Sequence, residues 1–188
     1  MGQGSAEWFS KFLGQEVRLL QHLPNFKMRP TERSTTSGKM NDHKVPIMFQ
    51  DACPVYLITE ASIESANVLR EEGSTWHFDH ASFRPNIVVE DSGADEEENW
   101  ECLRINQIVF KNVRISDKCA VTTVDKERGV KDDSRLDVLK KRRKVTSQYE
   151  KKNYSGDKAL FGINLAPDSS GLIKRGMKID VSLKQATS

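Results

Sequence analysis

Ser116-Asp117-Lys118-Cys119-Ala120-Val121-Thr122-Thr123-Val124-Asp125 is polar where a buried strand would be apolar, and the whole chain is read outward from that stretch. Lys118 directly precedes Cys119, and a neighbouring ammonium stabilises a thiolate by Coulomb attraction. Soft metals prefer a thiolate ligand. The hydroxyl pair Thr122-Thr123 follows closely, and Asp125 with Gly129 bounds a turn. Val113 to Val124 therefore reads as strand and loop around Cys119, forming the wall of a site. On spacing alone a second reading stays open, in which Cys119 is a small packed hydrophobe, as most free cysteines are.

Upstream, Trp100 to Phe110 has strand-like apolar content interrupted by an Asn106-Gln107 turn. Phe83 to Glu90 reads as another strand. Asp91 to Asn99 is an acidic, Gly-containing loop whose charges argue against burial. Val55-Tyr56-Leu57-Ile58-Thr59 is β-rich and runs through Glu60-Ala61-Ser62 into an amphipathic stretch ending near Glu72-Gly73, giving strand, turn and helix. Residues 24–44 hold Pro24, Pro30, Gly38 and a Ser/Thr cluster, the composition of an exposed loop. At the start, Ala6 to Leu23 fits a short amphipathic helix, a break at Gly14 and a strand. Downstream, Ser134 can cap a helix whose Leu136 and Leu139 face the core while Lys140 to Lys144 lie on its solvated side. Ala159 to Leu165 and Gly176 to Leu183 supply two more strands. With helices inserted irregularly among strands, the fold class is α+β, mainly β and barrel-like.

At 188 residues, 37% hydrophobic and 30% charged, the chain can bury one substantial core, so a single domain over 1–188 is expected. Lys plus Arg number 29 against 27 Asp plus Glu, a net charge of +2 that sets up no whole-protein attraction to nucleic acid or membrane. Three cysteines, an odd number, argue against a disulfide framework and for a reducing compartment. No apolar run approaches the ~20 residues of a spanning helix, so a soluble, cytoplasmic chain is expected.

The stretch around Cys119, continuing to Gly129-Val130, resembles the MOSC signature in which an Arg-Cys pair precedes Thr-Thr-Val-Asp and a Gly. Phe83-Arg84-Pro85-Asn86-Ile87-Val88-Val89 resembles the Phe-Arg-Pro-Asn strand of the amidoxime-reducing component family. Asp95 to Leu103 is similar to that family's acidic loop followed by Trp-x-x-Leu. Softer matches are Pro54 to Ser62, Leu160-Phe161-Gly162 and Gly171 to Val181, and together they cover nearly the whole chain. The resemblance implies a MOSC-type β-barrel with inserted short helices, a molybdenum cofactor (Mo-molybdopterin), and Cys119 as its metal ligand. It further implies reduction of N-hydroxylated small molecules such as amidoximes, with electrons from cytochrome b5 and NADH-cytochrome b5 reductase. The family resides at the mitochondrial outer membrane facing the cytosol.

Arg84 suits a cofactor phosphate because a guanidinium holds an oxyanion bidentately. Asn86, at i+2 on the expected strand, would share its face and bond the pterin edge. The plain alternative is a surface Arg and Asn in an edge strand kinked by Pro85. Lys118, Ser62 and Thr122 complete the expected cofactor-binding set. Two positions depart from the family: Lys118 stands for its Arg, and Asp117 for a small hydroxyl residue, placing a carboxylate beside Cys119 where it would repel an anion. The family's N-terminal barrel domain has no counterpart here. A rival reading is therefore a non-catalytic or truncated cofactor-binding module. Sulfur-carrier chemistry, as in the cofactor sulfurase, would need a pyridoxal phosphate partner domain. Trp76-His77-Phe78-Asp79-His80 lacks the partner set of a zinc site.

Overall fold

Turn and capping residues set most element boundaries in the computed structural model, which describes residues 3–23, 27, 29–30, 46–50, 52–154 and 156–185. In chain order the elements are α1 (Gln3–Leu13), β1 (Arg29–Pro30), β2 (Pro46–Ile47), β3 (Val55–Thr59), α2 (Glu60–Val68), α3 (His80–Phe83), β4 (Ile87–Val89), β5 (Trp100–Ile105), β6 (Ile108–Lys118), α4 (Ser134–Arg142), α5 (Gln148–Asn153), β7 (Ala159–Pro167) and β8 (Ile179–Leu183). Short 3-10 turns cover Glu96–Asn99 and Ala120–Thr123. The β1–β2 pair frames the expected 24–44 loop, most of which lies outside the described residues.

Six strands form one curled half-barrel sheet in the order β4-β3-β7-β6-β5-β8. Only β3 and β4 run parallel, because α2 and α3 carry the chain back between them; the other neighbours are antiparallel. Asn106 takes φ 56° in the tight β5–β6 turn, a left-handed conformation that Asn tolerates well. The domain is thus α+β and mainly β, as its pattern of strands indicated.

Both faces of the sheet are covered. Leu57, Leu103, Phe110, Ile163 and Leu165 pack on one side; Ile58 and Phe161 pack on the other, against Ile63 of α2, Phe83 of α3 and Leu139 of α4. Each such side chain contributes roughly 1.5–3 kcal/mol by leaving water. Strand β7 serves both cores through a bulge. Ile115 of β6 pairs with Ile163 but Asp117 with Leu160, so β7 carries one extra residue there. Gly162, at φ 69°, occupies it. The bulge reverses the alternation, sending Phe161 to the helix-covered face and Ile163 to the other.

Three local expectations are overturned. Phe83 to Glu90 is not one strand: Asp79 caps α3 in a reciprocal box with Ser82, and Arg84 ends that helix at φ 53°, ψ 50°. Only Ile87–Val89 is extended and paired, so the i, i+2 argument for Arg84 and Asn86 does not apply. The segment after Gly14 forms no strand among the described residues; Val17 instead bonds back to the Ser10 hydroxyl. Helix α4 begins at Ser134, as expected, but the residue preceding it is Asp133 and Ser134 itself bonds the Asp132 carboxylate.

The acidic loop and the basic run, each read as solvated, bury one another. Arg142 Nη1 lies 2.9 Å from Asp95 Oδ1, and its side chain is almost wholly enclosed. Arg143 donates to Glu98 Oε2 at 3.0 Å and also pairs with Glu150. Glu97 is fully buried between them, accepting from Ser62 Oγ at 3.3 Å and Thr59 Oγ1 at 3.4 Å.

Burial lifts the Glu97 carboxyl to about 7, with repulsion from Asp95 and Glu98 pushing the same way and its backbone and Ser62 hydrogen bonds opposing. A carboxyl raised on folding contributes stability that is fully present below its unfolded value, near 4.3, and is lost as pH climbs through about 7. Glu97→Gln should therefore match the parent at pH 4.5 and exceed it by up to about 3 kcal/mol at pH 8. Urea unfolding at both pH values measures the difference; curves that stay parallel would mean that Glu97 ionises without penalty.

Candidate functional site

Cys119 lies where β6 ends and its side chain is exposed. Its carbonyl accepts the Thr122 hydroxyl at 2.8 Å and the Thr122 amide at 3.2 Å, so the backbone carrying the thiol is fixed at both ends of one short turn. Beyond it, the Asp125 carboxylate accepts the Glu127 and Arg128 amides, and Asp125 and Val130 close the loop by a backbone bond of 2.8 Å. Val121, Val124 and Val130 are exposed around this loop.

Lys118 points inward. Its Nζ lies 3.0 Å from Ser116 Oγ and 3.7 Å from the centre of the Tyr56 ring, and the residue is buried. Burial pulls this ammonium down to about 7, and the Arg84 charge pulls the same way, while Asp117 and Cys119 pull it up. Both Arg84 and Cys119 are thus within electrostatic reach of Lys118. An anion bound among them would restore the lysine's charge, because it would replace the solvation that burial removes.

Arg84 is exposed in its left-handed position, its amide bonded to His80 O at 2.8 Å. An ion pair between Asp79 and Lys126 ties the start of α3 to the turn beyond Cys119, holding the guanidinium's helix against the thiol's loop. Asn86 is exposed, but its Oδ1 accepts the Tyr56 amide at 2.8 Å and its own amide donates to Tyr56 O at 2.8 Å. Only the carboxamide hydrogens of Asn86 are left to face a ligand.

The structure thus groups Cys119, Lys118, Arg84 and Asn86. Thr122 joins them through the Cys119 carbonyl rather than by presenting its hydroxyl outward. Ser62 is not brought to the group: it is fully buried, bonded to Thr59, Glu97 and the Asp95 amide, the last at 2.9 Å. Asp117 does not open beside the thiol. Its carboxylate accepts from the buried Arg114 guanidinium at 3.1 Å, and Arg114 in turn lies 4.3 Å over the Tyr154 ring. The expected repulsion is offset at its source. Tyr56, which the β-rich pattern marked only as a strand residue, touches both Lys118 and Asn86; nothing in its local sequence distinguishes that role.

An exposed thiol next in sequence to a lysine, with an arginine within electrostatic reach of that lysine, suits a thiolate-ligated metal carried by an anionic organic group. Residues 44–180 match the model of the MOSC domain. The chain is 33% identical to mitochondrial amidoxime reducing component 2 of Homo sapiens over 177 residues, 93% of this chain and 50% of the relative. It is 30% identical to component 1 of Mus musculus, again across 93% of the chain and 49% of the relative. Against component 1 of Danio rerio the identity is 36% over 133 residues, 69% of the chain and 38% of the relative. The chain therefore spans about half the length of the first two relatives.

Proposed function

The chain belongs to the MOSC domain family, and from that premise we propose that it is a molybdenum-cofactor-binding oxidoreductase that reduces N-hydroxylated substrates such as amidoximes. The observation that carries this reading is the exposed Cys119 thiol at the end of β6, next in sequence to the buried Lys118, with Arg84 within electrostatic reach of that lysine. The relatives' name supplies the substrate class.

Bound here, the cofactor supplies the two-electron redox chemistry. The chain's own residues hold and orient it. Cys119 is the protein's metal ligand, and Thr122 keeps that ligand's backbone still. Arg84 takes a phosphate or pterin oxygen through its fork, Lys118 offsets negative charge from beneath, and Asn86 donates to a polar edge. Arg114 draws the Asp117 carboxylate aside so that the approach stays cationic. Electrons would come from cytochrome b5 and its NADH-dependent reductase, at the mitochondrion that the relatives' names indicate. No helix among the described residues is long and apolar enough to cross a membrane.

Purified protein should carry molybdenum and pterin in equal amounts, measured by elemental analysis and by pterin fluorescence after oxidation. It should also reduce benzamidoxime with reduced cytochrome b5. Absence of both metal and pterin overturns the reading. Cofactor without reduction selects the non-catalytic binding module instead.

A further inference from the structure

Tyr56 links residues that are far apart in sequence. Its ring face lies 3.7 Å from Lys118 Nζ, its hydroxyl donates to Phe161 O at 2.8 Å, and its backbone makes two bonds of 2.8 Å with Asn86. Both sides of the ring's environment are fixed by the fold. Gly162, without a side chain, lets β7 approach so closely that an added Cβ would come within 2.9 Å of Tyr56 Cε2. The paired strands set the ring's position, and the hydroxyl bond adds one tie to β7.

Lys118 has few other anchors. Ser116 is a neutral partner on the same strand, while the one carboxylate next to Lys118 in sequence pairs with Arg114. A flexible lysine with a single hydroxyl partner would sample many rotamers, whereas an aromatic face confines an ammonium to one place.

We propose that Tyr56 is a positioning residue of the cofactor site: its ring seats the Lys118 ammonium beside Cys119 while its backbone fixes Asn86. The role rests on the cofactor reading above, but its central element, the seating of Lys118, exists in the chain without any cofactor. Tyr56→Phe keeps the ring and loses only the hydroxyl. Tyr56→Leu keeps an apolar side chain and loses the π face.

The direct test is residue-resolved acetylation of the native protein without cofactor, with exposed Lys141 as the internal standard. In Tyr56→Leu, Lys118 should react several-fold faster, and in Tyr56→Phe at nearly the parent rate. Where the leucine variant does not fold, 3,4,5-trifluorophenylalanine at position 56 serves, since it keeps the ring's shape and withdraws the charge from its face. Against Tyr56→Phe it should likewise accelerate Lys118. In protein loaded with the molybdenum cofactor, retention after dilution should fall about tenfold for the leucine or fluorinated variant and stay near the parent level for Tyr56→Phe. Unchanged Lys118 reactivity in the variants that lose the π face overturns the proposal, as does equal acceleration in Tyr56→Phe. A parent protein that takes up no cofactor overturns the functional reading instead, and the acetylation rates still decide the role of Tyr56.

Discussion

Cys119→Ala is expected to reduce molybdenum in the purified protein to background, while Cys53→Ala and Cys102→Ala retain it. The three thiols occupy different environments. Cys53 is buried beside the start of β3, and Cys102 lies half-buried inside β5, where it pairs with Lys111 and Ser182 across the sheet. Cys53 is covered by its surroundings, and Cys102 is held within the paired backbone of β5. Cys119 is exposed, and its carbonyl is held by Thr122, so the thiol leaves a fixed backbone toward solvent. Loss of a thiolate removes the only strong soft ligand, and retention should drop by more than a hundredfold. Stability should change by no more than about 0.5 kcal/mol, because an exposed side chain leaves no cavity. Cys119→Ser sharpens the test: a hydroxyl of similar size stays protonated at neutral pH and cannot replace the thiolate. Equal metal loss in all three alanine variants would remove Cys119 from the ligand role.

The chemistry-bearing residues were more legible than the surfaces that support them. Cys119 stands out because its run is unusually polar, although Ser116 and Lys118 of that run are buried in the end of β6, and Asn106-Gln107 marks its hairpin because Asn accepts a positive φ. Arg84 stands out for its guanidinium, yet its placement comes from the Asp79 and Ser82 box, which starts the short helix α3 that Arg84 then ends in a left-handed cap. That box is written in the sequence as Asp-x-x-Ser, and the β-rich run after it concealed the signal. The pairing of the 91–99 loop with the end of α4 is of another kind. Each segment is too polar to bury alone, so a local reading sends both to solvent, and only the fold brings Asp95 to Arg142 and Glu98 to Arg143. The same network draws Ser62 away from the site: its hydroxyl accepts the Asp95 amide and donates to Glu97. Tyr56 was invisible for a similar reason. Its partners, Lys118, Asn86 and Phe161, come from three separate elements of the chain.

Gly162→Ala should be the most damaging single methyl group that can be added to this fold. At φ 69° any other residue pays for the left-handed backbone, on the order of 1 kcal/mol. Space is the greater obstacle. A Cβ at this position would meet Leu57 O at 2.5 Å and Ile58 Cγ2 at 2.6 Å as well as the Tyr56 ring, and the first is backbone of a central strand that cannot swing aside. Overpacking of a rigid core costs about 1–3 kcal/mol, so the sum is about 2–4 kcal/mol, a large fraction of a domain's 5–15 kcal/mol. The strands can relieve the clash only by separating β3 from β7 or by undoing the bulge. Either change moves Tyr56, and undoing the bulge also puts Phe161 and Ile163 on one face, so that one of them leaves its core. Urea unfolding of the variant should show the stability loss, and acetylation of whatever folds should show Lys118 released as in Tyr56→Leu. A variant as stable as the parent, with Lys118 still protected, would mean that β7 passes β3 with room to spare and that neither the bulge nor the close approach requires glycine.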